Sequence, residues 1–250
     1  EVVKEVEVVK EVEVVKEVEV VKEVEVVKEV INPFERTELL SRVSGIIDPY
    51  NLEWPRSIEA MNGITKLNSP PQRILTVSVG HDEMLLGFLG TDKLIATSSF
   101  SQDPNGNIFQ LTEGLPVISS EIETIIAQSP DLVFVDPYAN SVLIEGLEDL
   151  GIPVIQTQLH NDINGRIDDI ILAGYVTDEL DSAFTLIDQI NLKINKLNEY
   201  KKLYSGDVAT KILAVTYYDA YWAGGIGSTE GSIIELAGGL NVAAEAGIES

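Results

Sequence analysis

Between residues 70 and 157 the chain repeats one pattern, a short apolar run followed by a helix-like stretch, and this alternation constrains the fold more than any other feature. The runs lie near residues 73–79, 93–97, 132–136 and 153–157, each flanked by Pro, Gly or Ser and too short to span a membrane. Apolar on both sides of the pleat, they read as buried parallel strands. Helical patterns fall near 82–89, 121–128, 141–150 and 165–176, the third closing on Gly151, a good left-handed cap. Strand and helix in alternation predict an α/β lobe built on an open, Rossmann-like parallel sheet over residues 70–177.

Leu180, Ala183, Ile187, Ile190, Ile194 and Leu197 then recur at spacings of three and four, with no Gly or Pro between Asp178 and Ser205. One long helix over 178–205 follows from that spacing. Beyond it, 211–217 reads as a new strand and 232–237 as a new helix, so residues 206–250 look like the start of a second α/β lobe, truncated at Ser250. The long helix bridges the two. Upstream, 31–69 is a transition segment with a short helical pattern around Leu39, Leu40 and Val43 and a hairpin around Asn62-Gly63.

Residues 1–30 are five identical copies of EVVKEV. Six residues advance a helix by about 600°, so the valines of successive copies drift around the axis and no coiled-coil stripe survives. As an extended strand the even period puts Val-Lys-Val on one side and Glu-Val-Glu on the other. We read the array as a solvated low-complexity stalk, the ordered alternative being a strand that adds to a sheet or self-associates.

Composition removes several functions. With 41 acidic against 17 basic residues and a net charge of -24, the chain repels nucleic acid and anionic membranes. Zero cysteines exclude disulfides, thiolate metal sites and cysteine nucleophiles. His81 and His160 are the only histidines, so a site built from several imidazoles for zinc or manganese cannot be assembled, and any metal should arrive already chelated. The carboxylates of Asp168-Asp169 and Asp178-Glu179-Asp181 read as a solvated face. The chain opens at Glu1 without a basic-then-apolar signal, and reads as a processed or cropped piece.

Open α/β sheets bind ligands beyond the carboxyl ends of their strands, which places Ser78, Gly80, His81, Ser99, Phe100, Pro137 and Tyr138 along one lip. Amides at the helix start after Gly80 suit an anionic group. His81 reads equally as a ligand contact, including an axial ligand to haem iron, and as a helix-start histidine satisfied by solvent or a carboxylate. In the second lobe Tyr217, Tyr218, Tyr221 and Trp222 follow a strand and lead into Gly224-Gly225, a cluster suited to a large planar or chelated ligand, with Tyr217 the member that best fits core packing. The run 225–231 has its third glycine one residue late for a dinucleotide fingerprint, with Glu230 in its place, and no Gly-x-Ser-x-Gly elbow is present.

Four segments then resemble one family: PPQRILTVSVGHDEMLLGFLG (70–90), SSFSQDP (98–104), SEIETIIAQSPDLVFVD (120–136) and GSTEGSIIELAGGLNVAAEAG (227–247). They are similar to the class III substrate-binding proteins of ABC importers, which carry ferric siderophores, haem or cobalamin. The resemblance implies two lobes on a rigid helix, no catalysis, and no cofactor beyond a ferric chelate, haem or corrinoid as ligand. It also implies an extracytoplasmic monomer, tethered as a lipoprotein through residues ahead of Glu1, that delivers its ligand to a membrane permease. Glu123 matches the family carboxylate that docks on the permease, although Ser120-Glu121-Ile122-Glu123 also reads as a capping box. Departures from the family are Ser78-Val79 where Ser-Pro is common, His81-Asp82 in place of small residues, and no second acidic docking site. The rivals to this reading are a Rossmann-like enzyme and a surface protein acting through the repeat.

Overall fold

The computed structural model of the protein describes residues 33–204, 209–217 and 219–249. The EVVKEV array, read above as a stalk, and Tyr218 lie outside the described residues. Helix α1 (Pro33–Arg42) leads to an antiparallel hairpin, β1 (Arg56–Ala60) and β2 (Gly63–Leu67), whose two-residue turn is Met61-Asn62. The α/β body then runs β3 (Ile74–Thr76), α2 (Val79–Leu86), β4 (Leu94–Ser98), a 3-10 turn (Ser99–Gln102), α3 (Phe109–Thr112), β5 (Val117–Ile118), α4 (Ile122–Ile126), β6 (Leu132–Val135), α5 (Ser141–Asp149), β7 (Val154–Gln156) and α6 (Ile163–Thr177). The 25-residue helix α7 (Leu180–Tyr204) follows.

The five strands of the body pair in the order β5-β4-β3-β6-β7, all parallel. Alternate positions face opposite ways. Leu75, Ala96, Val133, Val135 and Val154 form one core with Leu143, Ile144 and Leu147 of α5 and Ile125 of α4. Ile74, Leu132, Phe134 and Ile155 are buried at the intervening positions, which explains why the strands read as unbroken apolar runs. Each fully buried side chain of this size contributes about 1.5–3 kcal/mol. The free edge of β7 is sealed by the hairpin turn: Met61 N–H donates to the Gln156 carbonyl (2.9 Å), and the Asn62 side chain bonds the Val154 carbonyl (3.0 Å) and Gln156 N–H (3.0 Å).

After α7 come β8 (Lys211–Ile212), β9 (Val215–Tyr217), β10 (Tyr221–Ala223), α8 (Thr229–Leu236), β11 (Leu240–Asn241) and α9 (Val242–Glu245). The single strand expected over 211–217 is thus two. β8 pairs in parallel with β11, while β9 turns back on β10 as an antiparallel ribbon. Closing a short local turn costs less chain entropy than extending a strand toward a distant partner. The body also holds three elements that the apolar pattern does not announce, β5, α3 and the 3-10 turn, each of four residues or fewer.

Candidate ligand-binding site

Strand order locates the site. From β3 the chain steps outward through β4 to β5, then crosses back to β6 and β7, so the direction of winding reverses between β3 and β6. Loops leaving the carboxyl ends of strands at such a switch diverge to opposite faces and open a crevice. Beyond β3 stands Ser78, beyond β6 Pro137 and Tyr138, and beyond neighbouring β4 Ser99 and Phe100. The structure therefore brings these residues to one rim. Phe100 is 74% exposed and Tyr138 94% exposed, large rings held in solvent by short, well-bonded turns. Asp136 Oδ1 accepts the Tyr138 N–H (2.8 Å), and Asn140 caps α5 by accepting the Val142 N–H (2.9 Å).

One residue assigned to the rim, His81, lies elsewhere. α2 begins at Val79, three residues earlier than its apolar pattern suggests. A helix starting at 82 leaves His81 in the preceding loop; one starting at 79 locks it on the inward face with Asp82 and Leu85, while Val79 and Glu83 turn outward. His81 is fully buried, stacked on Phe134 with ring centroids 5.9 Å apart, and its Nε2 lies 2.8 Å from Thr157 Oγ1. Burial, with the Arg166 charge adding to it, lowers its pKa from 6.5 to about 3. In this arrangement it is a neutral interior group, neither at the rim nor satisfied by solvent. Gly80 is half-buried beside Leu159, whose Cδ1 a Cβ there would overlap.

Asp82, noted in the sequence only as a departure from the family and given no role there, is the most heavily bonded buried side chain near the rim. Its oxygens accept from Thr76 Oγ1 (2.7 Å), Ser98 N–H (2.8 Å) and Ser101 Oγ (2.6 Å). Burial raises its pKa, and the bonds from Ser101, Thr76 and Ser98 oppose that rise. The available signal was the set of hydroxyl residues at the strand ends, Thr76, Ser98 and Ser101, which need a common acceptor once buried.

Residues after α7 carry the second aromatic group. Tyr217, Tyr221 and Trp222 are 66%, 81% and 60% exposed on the β9–β10 ribbon, with the two tyrosine rings 5.2 Å apart. Tyr217 is not core, because its ribbon lacks a covering layer among the described residues. A cavity of about 540 Å³ beside Trp222 is lined by Thr216, Asp219, Gly224, Ser228 and Glu230. The glycine-rich turn is shaped by capping: Ser228 Oγ accepts the Gly231 N–H (2.9 Å) and donates to the Gly225 carbonyl (2.9 Å). Asn161, in the loop after β7, ties the body to this turn by donating to the Gly227 carbonyl (3.1 Å) and accepting from Thr229 Oγ1 (3.0 Å).

Glu123 is exposed in the first turn of α4. The capping box does not form. The N-cap residue is Glu121, without a side-chain cap, and Ser119 and Thr124 satisfy the local backbone instead, through Glu121 N–H to Ser119 Oγ (3.3 Å) and Thr124 Oγ1 to the Ser119 carbonyl (3.1 Å). Among the described residues no group of three or more His, Asp or Glu side chains is placed to hold a metal, and no helix is long and apolar enough to cross a membrane.

A parallel α/β sheet with a switch-point crevice and exposed rings at its rim defines a ligand-binding protein of the open-sheet class. Residues 74–250 match the family model described as periplasmic binding protein, and the chain belongs to that family. It is 22% identical over 188 residues to a cobalamin-binding protein of Halobacterium salinarum, covering 75% of this chain; the chain spans about half the length of the curated relatives it matches (50%). Among solved structures, the heme binding protein HmuT superposes with a TM-score of 0.65 at 17% identity, over 82% of this chain and 68% of that one. The periplasmic heme-binding protein RhuT from Roseiflexus sp. RS-1, in apo form, gives 0.62 at 19% identity, over 72% and 68%. The family and these neighbours are binding proteins rather than enzymes.

Proposed function

We propose that the protein is the extracytoplasmic binding component of an ABC importer, and that it captures an iron chelate, haem or a corrinoid between two α/β lobes joined by α7. The observation that carries the reading is the placement of Phe100 and Tyr138 beyond the strand ends at the switch point, together with Trp222 at the mouth of a cavity of about 540 Å³. Exposed flat rings, two of the three with a polar edge, suit a large planar or chelated ligand. The relatives described above, one a cobalamin-binding protein and two heme-binding proteins, support the same ligand classes. Residues 209–249 contribute to the second lobe, Ser78, Ser99, Tyr221 and Tyr218 join the contact set, and Glu123 offers its carboxylate to the permease. The protein works as a tethered monomer.

Titration of the protein with cyanocobalamin, haemin and a ferric hydroxamate, followed by tryptophan fluorescence, tests the assignment. Trp54 and Trp222 are the only tryptophans, and Trp54 is stacked on Arg56. One of the three ligands should give a saturable change that Trp222→Phe abolishes and Trp54→Phe retains. No saturable binding of any of them, checked by calorimetry, would sink the assignment.

A further inference from the structure

The first turn of α2 turns two consecutive polar residues inward, and each reaches a different loop of the rim. Asp82 gathers three donors, of which Ser98 N–H and Ser101 Oγ belong to the segment that carries Ser99 and Phe100. Ser101 is itself fully buried, its hydroxyl 3.1 Å from that of Ser98 and its carbonyl accepting from Thr112 Oγ1 (3.0 Å). The exposed Phe100 is therefore flanked by anchored residues. His81 reaches the other way, to Thr157 at the end of β7. Four residues on, that loop bonds the Gly227–Thr229 turn through Asn161, and Leu159 lies over Gly80.

An apolar side chain would fill the position of Asp82 without the cost of desolvating a carboxylate. What the carboxylate adds is direction, since its two oxygens accept only along the lines that hold Thr76, Ser98 and Ser101 in one arrangement. We infer that His81 and Asp82 are positioning residues that preset the two rim loops, residues 98–102 and 157–161, for ligand. The inference rests on the binding function proposed above. It assigns a role to the His81-Asp82 pair that neither contact with ligand nor helix capping supplies.

Hydrogen exchange and ligand titration of the whole protein test it together, with cyanocobalamin and haemin as probes. Asp82→Ala and Ser101→Ala should each speed amide exchange at 98–102 by about tenfold beyond the change in Leu147→Ala, a cavity variant in the opposite core layer. His81→Ala should do the same at 157–161. Affinity for whichever probe binds should fall about tenfold in each of the three rim variants. Asp82→Asn should recover both readouts, because its amide nitrogen donates to Thr76 Oγ1, whose proton then turns from residue 82 to the Ser78 carbonyl (2.9 Å), and its oxygen accepts from Ser98 and Ser101. Exchange in Asp82→Ala that matches Leu147→Ala, or unchanged affinity at altered exchange, overturns the inference. Should Asp82→Ala not fold, Ser101→Ala decides by the same criteria. Should neither probe bind the unmodified protein, the binding assignment fails for those ligands, and the exchange pattern alone decides whether the pair holds the loops.

Discussion

Because the folded protein holds His81 with a pKa near 3 against 6.5 when free, folding selects the neutral ring. Between those values the unfolded chain binds a proton that the native state refuses, so stability falls as pH drops below 6.5, by about 1.4 kcal/mol for each pH unit until His81 itself titrates. Asp82 and Asp169, the latter buried against His160 rather than on the solvated face expected of it, act in the opposite sense, since burial raises both: their contribution is full below the ordinary carboxyl range and is lost as pH rises through their folded values. A difference measurement isolates the histidine. The stability gap between the protein and His81→Asn, taken from urea unfolding at stepped pH, should narrow by about 1.4 kcal/mol per unit below pH 6.5; a constant gap would contradict a buried neutral ring. Ser99, Phe100 and Tyr138 were legible at the rim because strand ends and the residues after them can be read from apolar runs. His81 was not, because its direction depends on whether α2 starts at 79 or 82, a choice made by the packing of Leu85 and Phe134 rather than by local pattern.

Besides the bonds of Met61 and Asn62 to β7, one arginine anchors the hairpin to the body. Arg56 is 2% exposed, its guanidinium lies 4.3 Å from the Trp54 ring centroid and 4.8 Å from that of Tyr175, and it donates to the carbonyls of Tyr175 and Leu52 and to Asp178 Oδ1 (2.7 Å). Asp178 is partly solvated, so most of the binding force comes from the two stacked faces and the two carbonyls. Arg56→Ala should cost about 3 kcal/mol, and Arg56→Lys should recover little of it, because an ammonium cannot stack between rings and bond three acceptors in a plane. Chemical denaturation measures the loss, and limited proteolysis between residues 43 and 55 shows whether the hairpin loosens first. Full recovery by lysine would mean that charge alone anchors the hairpin. At this scale four body strands and their helices were readable, since each carries a run of buried aliphatics. β5 was not, with only Val117 and Ile118, and the break between β8 and β9 depends on a partner, β11, that lies 28 residues further along the chain.

For the molecule as a whole, charge is the dominant long-range term. A net charge of -24 makes the compact state repel itself, and added salt shortens the range of that repulsion from about 10 Å at 0.1 M to about 3 Å at 1 M. Raising sodium chloride across that range should increase the melting temperature by at least about 2–4 °C, read by circular dichroism, and a flat or falling curve would show that local ion pairs outweigh the net repulsion. The sequence alone determined the α/β class, the long helix and the residues that follow the strands, because periodicity and chain-breaking residues act over a few positions. Tertiary structure decided the strand order, and with it the crevice between β3 and β6, because pairing joins residues such as Ile74 and Leu132 that local pattern cannot relate. It also decided which polar residues at the strand ends face a ligand and which, like Asp82, are spent holding the others, because burial is a property of neighbours rather than of the residue itself.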